Sequence, residues 1–119
     1  LHRVSPDTMH SLEPAWSPDG SRIAFVGKTG PSFELFVIDV EGTYLMQLTD
    51  SPVAPSLPAW SPDGRKLAFT TYGLGRIDID VDIWVIDVAR ILGLDSEDGS
   101  SVRAVGWGQV KQRAKGRPR

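Results

Sequence analysis

The sequence predicts an all-β chain made of two successive four-stranded antiparallel units. Three observations carry this expectation. One twelve-residue motif occurs twice, each copy is followed by segments with strand patterning, and turn-forming residues sit at the joints between those segments.

Residues 14–25 read PAWSPDGSRIAF and residues 58–69 read PAWSPDGRKLAF, with nine of twelve positions identical. Trp16 maps to Trp60 and Phe25 to Phe69, both at an offset of 44. The match resumes where ELFVIDV at 34–40 returns as DIWVIDV at 82–88; the offset there is 48, because TTYGLGRIDID brings four extra residues. A weaker third match sets Gly42–Leu48 against Gly99–Val105, with Leu45 and Leu48 replaced by Val102 and Val105. Such a period, with a tryptophan and short strands in each copy, belongs to the range of β-propeller blades.

Each copy divides into four strands. The first lies around Ala15-Trp16 and Ala59-Trp60, after Pro14 and Pro58. Ser17-Pro18-Asp19-Gly20 and Ser61-Pro62-Asp63-Gly64 then form tight turns. Proline presets φ, the aspartate bonds back to nearby backbone, and glycine takes positive φ. The second strand alternates, so Ile23 shares a face with Phe25, and Leu67 with Phe69. The third, Leu35-Phe36-Val37-Ile38 and Ile83-Trp84-Val85-Ile86, is apolar on both faces and must be covered on both. Blades packed between neighbouring blades meet that demand. Glu41-Gly42 and Asp98-Gly99 make the turn to the fourth strand. A short helix is tolerable only at 88–95, where Ala89-Arg90-Ile91-Leu92 has fair helix propensity. Trp16, Phe25, Phe36, Ile38, Trp60, Phe69, Trp84 and Ile86 are the expected core.

WSPDG, an alternating strand, an acidic-apolar-aromatic-V-I-D strand, and a strand ending in Leu48-Thr49 together resemble the WD-like repeat of TolB-like β-propellers. Similar repeats occur in the propellers of prolyl-oligopeptidase-like and tricorn-like peptidases. The resemblance covers about residues 12–105 and carries over to Trp16, Ser17, Pro18, Asp19, Gly20 and Phe25, and to Trp60, Ser61, Pro62, Asp63, Gly64 and Phe69. Two departures stand out: the insertion Ala89–Ser96, and Gly106-Trp107 where the first copy has Leu-Thr. The expected organisation is 1–11 as the end of a preceding blade with its connecting loop, 12–50 and 51–107 as blades, and 108–119 as a basic disordered tail.

The resemblance implies a non-catalytic periplasmic or otherwise extracytoplasmic protein that binds other proteins through its propeller. The alternative is a substrate-gating propeller of a serine peptidase whose hydrolase domain lies outside this chain. The first partners implied are the remaining blades of the full-length protein. Leu1, with no charged-then-apolar leader after it, reads as the edge of a fragment.

Composition is that of an ordinary globular chain, 40% apolar and 24% charged, and the 12 glycines and nine prolines suit a chain with many turns. Cysteine is absent, which removes disulfides and thiolate metal sites. Five of the 13 basic residues fall in the last nine positions, so the rest of the chain carries eight basic against 15 acidic residues. Such a body argues against nucleic-acid binding, which needs a positive surface. No apolar run is long enough for a membrane-spanning helix.

The chemical candidates read as structural. The Trp16/Trp60 pair packs between blades rather than forming an aromatic platform, and Asp19 and Asp63 cap turns. Gly27-Lys28-Thr29 lacks the preceding glycine of a phosphate loop, with Arg22 in its place. Asp78, Asp80 and Asp82 alternate with Ile77, Ile79, Val81 and Ile83. Extended, they form an acidic row with carboxylates roughly 6–7 Å apart. The calcium-loop pattern fails there, with Ile83 in place of its glycine, so an acidic interaction surface is expected and no metal. No G-x-S-x-G occurs, and His2 and His10 have no triad partners by motif, so neither catalytic residues nor a cofactor is expected.

Overall fold

The computed structural model describes residues 1–50, 54–73 and 81–93. Within them lie seven strands and one short helix: β1 His10–Trp16, β2 Arg22–Lys28, β3 Phe33–Asp39, β4 Leu45–Gln47, β5 Ala54–Trp60, β6 Lys66–Tyr72, β7 Val81–Asp87 and α1 Val88–Ile91. They form two antiparallel meanders, β1-β2-β3-β4 and β5-β6-β7. The expected fourth strand of the second sheet, after Asp98-Gly99, lies outside the described residues, as does the basic tail.

The repeat recurs in the register. Ala24 stands opposite Val37 and Phe25 opposite Phe36, while Ala68 stands opposite Val85 and Phe69 opposite Trp84. Both first strands also break register at one point, between Leu12 and Ala15 and between Ser56 and Ala59. There Glu13 and Leu57 adopt φ of 54° each, left-handed backbone ahead of the repeated prolines. A side chain in that region costs about 1–2 kcal/mol, and the bulge it creates bends the strand. The sequence pattern points only to a short strand around the tryptophan; the bulge lets β1 and β5 run for seven residues.

The two sheets stack face to face. Ala24, Val26, Leu35 and Val37 of the first, with Leu48 just past β4, meet Leu67, Phe69 and Ile86 of the second and Val88 and Ile91 of α1, all at most 7% exposed. The opposite face of the first sheet holds a smaller cluster, Phe25, Phe36 and Ile38, covered by Val4 and Met9 of the segment that precedes β1. Phe25 and Phe36 stack there with ring centroids 5.7 Å apart. Gly27 makes room for this cover, since a Cβ on it would lie 2.5 Å from the Met9 sulfur.

Helix α1 falls inside the tolerated 88–95 window. Asp87 caps it by accepting from Arg90 N–H at 3.0 Å. Val88, Ala89 and Ile91 are buried, so the insertion adds to the core.

Two expectations are corrected. Trp16 is 64% exposed, while Phe25, Phe36, Ile38, Phe69 and Ile86 are buried and Trp60 and Trp84 half-buried. Burial at the tryptophan position requires a sheet in front of it, and among the described residues Trp60 has one and Trp16 does not. Among the described residues, the third strand of the second sheet is likewise covered on one face only. Ile83 and Val85 are 72% and 53% exposed, whereas their counterparts Leu35 and Val37 are buried against the second sheet.

Candidate functional site

The doubled SPDG turns end both sheets on the same side. In the first, Gly20 N–H donates to the Ser17 carbonyl at 2.9 Å, and Gly20 takes φ 76°. The Asp19 carboxylate accepts from the Ser17 hydroxyl at 2.7 Å, the Ser21 hydroxyl at 2.7 Å and Ser21 N–H at 3.0 Å. The Ser17 hydroxyl oxygen in turn accepts from Arg22 N–H. These donors favour the ionised carboxylate: Ser21 N–H first, then the Ser21 and Ser17 hydroxyls, lower the Asp19 pKa from 3.8 to about 2. The second turn repeats the pattern, with Asp63 accepting from the Ser61 hydroxyl at 2.6 Å and from Arg65 N–H at 3.0 Å. Its pKa is lowered by the same kind of contact, the Ser61 hydroxyl foremost. The turn-capping reading of both aspartates therefore matches their geometry.

Between the two turns runs a cleft of about 410 Å³. Asp19 and Arg22 line one side, Asp63 and Arg65 the other, with Trp60 and Leu92 between them. Both signs of charge alternate on its rim, and the turn networks hold the rim in place. Trp60 belongs to the seam beneath, where its indole N–H donates to the Ala15 carbonyl at 2.9 Å. Beside it, the Glu13 carboxylate accepts from Leu57 N–H at 2.7 Å and from the Ser56 hydroxyl, joining β1 to β5.

Several polar residues matter here that motif reading passes over. Glu34 is 5% exposed, and its carboxylate accepts from the Thr49 hydroxyl at 2.6 Å and from Ser32 at 3.2 Å. Thr49 Oγ1 also accepts from Leu35 N–H at 2.9 Å, so one hydroxyl ties the segment that follows β4 to β3. Asp39 accepts from the Thr43 hydroxyl and from Thr43 and Tyr44 N–H, which lowers its pKa, the Thr43 hydroxyl being the largest cause. Asp39 and its repeat counterpart Asp87 thus do parallel work, one closing a turn and the other capping α1. The signal that could have found them is their doubled position, acidic at 34 and 82 and again at 39 and 87. Trp84 reaches the same sheet's Thr71 hydroxyl at 2.7 Å.

Of the acidic row, Asp82 is half-buried near the head of β7, and Asp78 and Asp80 lie outside the described residues. Among the described residues, no group of three His, Cys, Asp or Glu converges as a metal site, and no helix is long and apolar enough to cross a membrane.

The profile of the TolB β-propeller domain matches residues 2–89. The chain belongs to the TolB β-propeller domain family. It is also similar to a solved structure of a protein designated TolB from Agrobacterium tumefaciens, at 27% identity and a TM-score of 0.63. That alignment covers 71% of this chain and 32% of the other, so the chain spans about a third of its length. No curated protein matches. In the terms of the TolB propeller, the two stacked sheets are successive blades, and the SPDG turns mark one end of each.

Proposed function

We propose that this TolB-type chain is a non-catalytic scaffold that holds a protein partner in the extracytoplasmic space, with the cleft between its two SPDG turns as the docking point. The observation that carries this reading is the build of the rim. Asp19 and Asp63 are each held by serine hydroxyls and backbone N–H groups, so the rim is preorganised and ordering it on binding costs little. Its alternating carboxylates and guanidiniums suit the polar main chain and mixed charges of a protein segment, and half-buried Trp60 supplies an apolar floor. Family membership supports the compartment and the scaffold role.

The test is site-specific photocrosslinking in a bacterial envelope. A crosslinker at exposed Pro62, on the rim, is compared with one at Thr29, in the turn at the other end of β2. The reading expects a discrete envelope protein captured from position 62 and not from position 29. Equal capture from both positions, or none from either, contradicts it.

A further inference from the structure

Arg22 is a half-buried cation whose hydrogen-bonding capacity is left unspent among the described residues. It opens β2, and its Cα stands opposite that of Asp39. Asp39 is committed elsewhere, since both of its carboxylate oxygens accept from Thr43 and Tyr44. Asp19 lies close enough for its pKa to feel the Arg22 charge, but Ser17 and Ser21 hold its carboxylate. Among the described residues the Arg22 guanidinium donates no hydrogen bond. Such a group carries five N–H donors in a planar fork that fits a carboxylate bidentately.

This side chain sits where two cavities meet. One is the cleft between the SPDG turns. The other, of about 230 Å³, runs toward Asp39 and Tyr44, and Arg22 and Leu92 line both. Leu92 is half-buried at the C-terminal cap of α1. The joint groove therefore runs from Trp60, past Leu92 and Arg22, to Tyr44, which is 64% exposed. Its walls come from both sheets and from α1. The repeat does not encode it twice: Lys66 takes the place of Arg22 in the second copy, and the first copy has no insertion to match α1.

We propose that this groove takes an extended segment of a protein partner in which a single aspartate or glutamate pairs with Arg22, flanked by apolar side chains on the Trp60–Leu92 and Tyr44 sides. The inference rests on the docking reading above and names the chemistry that the site selects. Two observations define that chemistry. Tryptophan, arginine and tyrosine, the residue types that dominate binding energy at protein interfaces, succeed one another along the groove. Asp19, Asp39 and Asp63 line it as well, each with a lowered pKa and hence ionised. A phosphate group or a run of acids would meet all three negative charges, whereas one carboxylate between apolar residues answers the one cation.

The test is selection from a random library of linear dodecapeptides on the full 119-residue chain. Enriched peptides should share one Asp or Glu with apolar neighbours, and changing that acid to its amide should weaken binding about tenfold or more. Arg22→Gln should abolish the acid preference, and Arg22→Glu should select Lys or Arg in its place. Lys66→Gln, at the repeat counterpart, should change nothing. Each variant is compared once its urea midpoint matches that of the unmodified chain. Inorganic phosphate should compete no better than chloride at equal ionic strength; stronger competition would assign Arg22 to a phosphate group and overturn the proposal. Pro62→Trp fills the cleft without changing charge and separates the two readings. Peptides lost with Pro62→Trp but indifferent to Arg22→Gln would overturn this proposal and leave the docking site standing. Peptides indifferent to both, or no enrichment at all, would overturn both.

Discussion

Truncating Phe69 to alanine probes the packing of one blade on the next. The ring is 2% exposed and lies between the two sheets, among Val26, Val37 and Leu67. A phenylalanine side chain buries about 150–250 Å². At about 25 cal/mol per Å², its whole burial amounts to roughly 4–6 kcal/mol. Alanine keeps the Cβ, and sheets on both sides resist collapse into the gap, so Phe69→Ala should cost about 3–5 kcal/mol. Against a domain stability of about 5–15 kcal/mol, that is a large share. For a chain of this size, it corresponds to a fall in Tm of roughly 10–25 °C. Urea unfolding followed by tryptophan fluorescence reads the loss directly, because Trp60 and Trp84 border the site. The slope of the transition must stay unchanged for the midpoint shift to count as lost stability. A loss below about 1 kcal/mol would refute the claim that this ring is clamped between two blades.

Three further outcomes are expected. Thr49→Val removes the acceptor of buried Leu35 N–H and one donor to Glu34, and should cost about 1–3 kcal/mol in chemical denaturation; a neutral result would show that β4 is not held through this hydroxyl. The Asp19 carboxylate should titrate near 2 by NMR, below the ordinary 3.8. Because its folded pKa is depressed, its stabilising effect is complete above about 4 and lost as pH falls toward 2, and Asp19→Asn should remove that acid dependence; a midpoint at 3.8 contradicts the turn network. Trp60→Phe should cost about 1 kcal/mol by losing the bond to the Ala15 carbonyl, whereas Trp16→Phe should leave the monomer within about 0.5 kcal/mol; equal effects would erase the distinction between the two positions.

Much of this fold is legible in the residues because its determinants are local. SPDG needs only neighbouring atoms to form its turn, and the alternation of Ile23 and Phe25 or Leu67 and Phe69 orients a strand without knowledge of what it meets. Trp16 is the counterexample. Its place in the repeat equals that of Trp60, but burial is a property of the neighbour, and among the described residues one of the two positions has a blade in front of it and the other does not. Ile83 and Val85 teach the same lesson from the other side. Glu34 is illegible for a different reason: its partner Thr49 lies just past β4, 15 residues away, and joins it only after the sheet is registered. Glu13 reaches Leu57 across 44 residues and has no repeat counterpart to announce it, since the matching position is a leucine. The cleft between the turns arises from stacking of the two sheets, a relation that neither motif contains alone.

The most direct test of the central claim, two TolB-type blades stacked so that only the second tryptophan is enclosed, is hydrogen exchange at the indole N–H groups, measured by NMR on dilute, monomeric chain. Trp60, bonded to the Ala15 carbonyl, and Trp84, bonded to the Thr71 hydroxyl, should exchange many times more slowly than Trp16, which stands in solvent. Exchange at Trp60 as fast as at Trp16 would contradict the stacking.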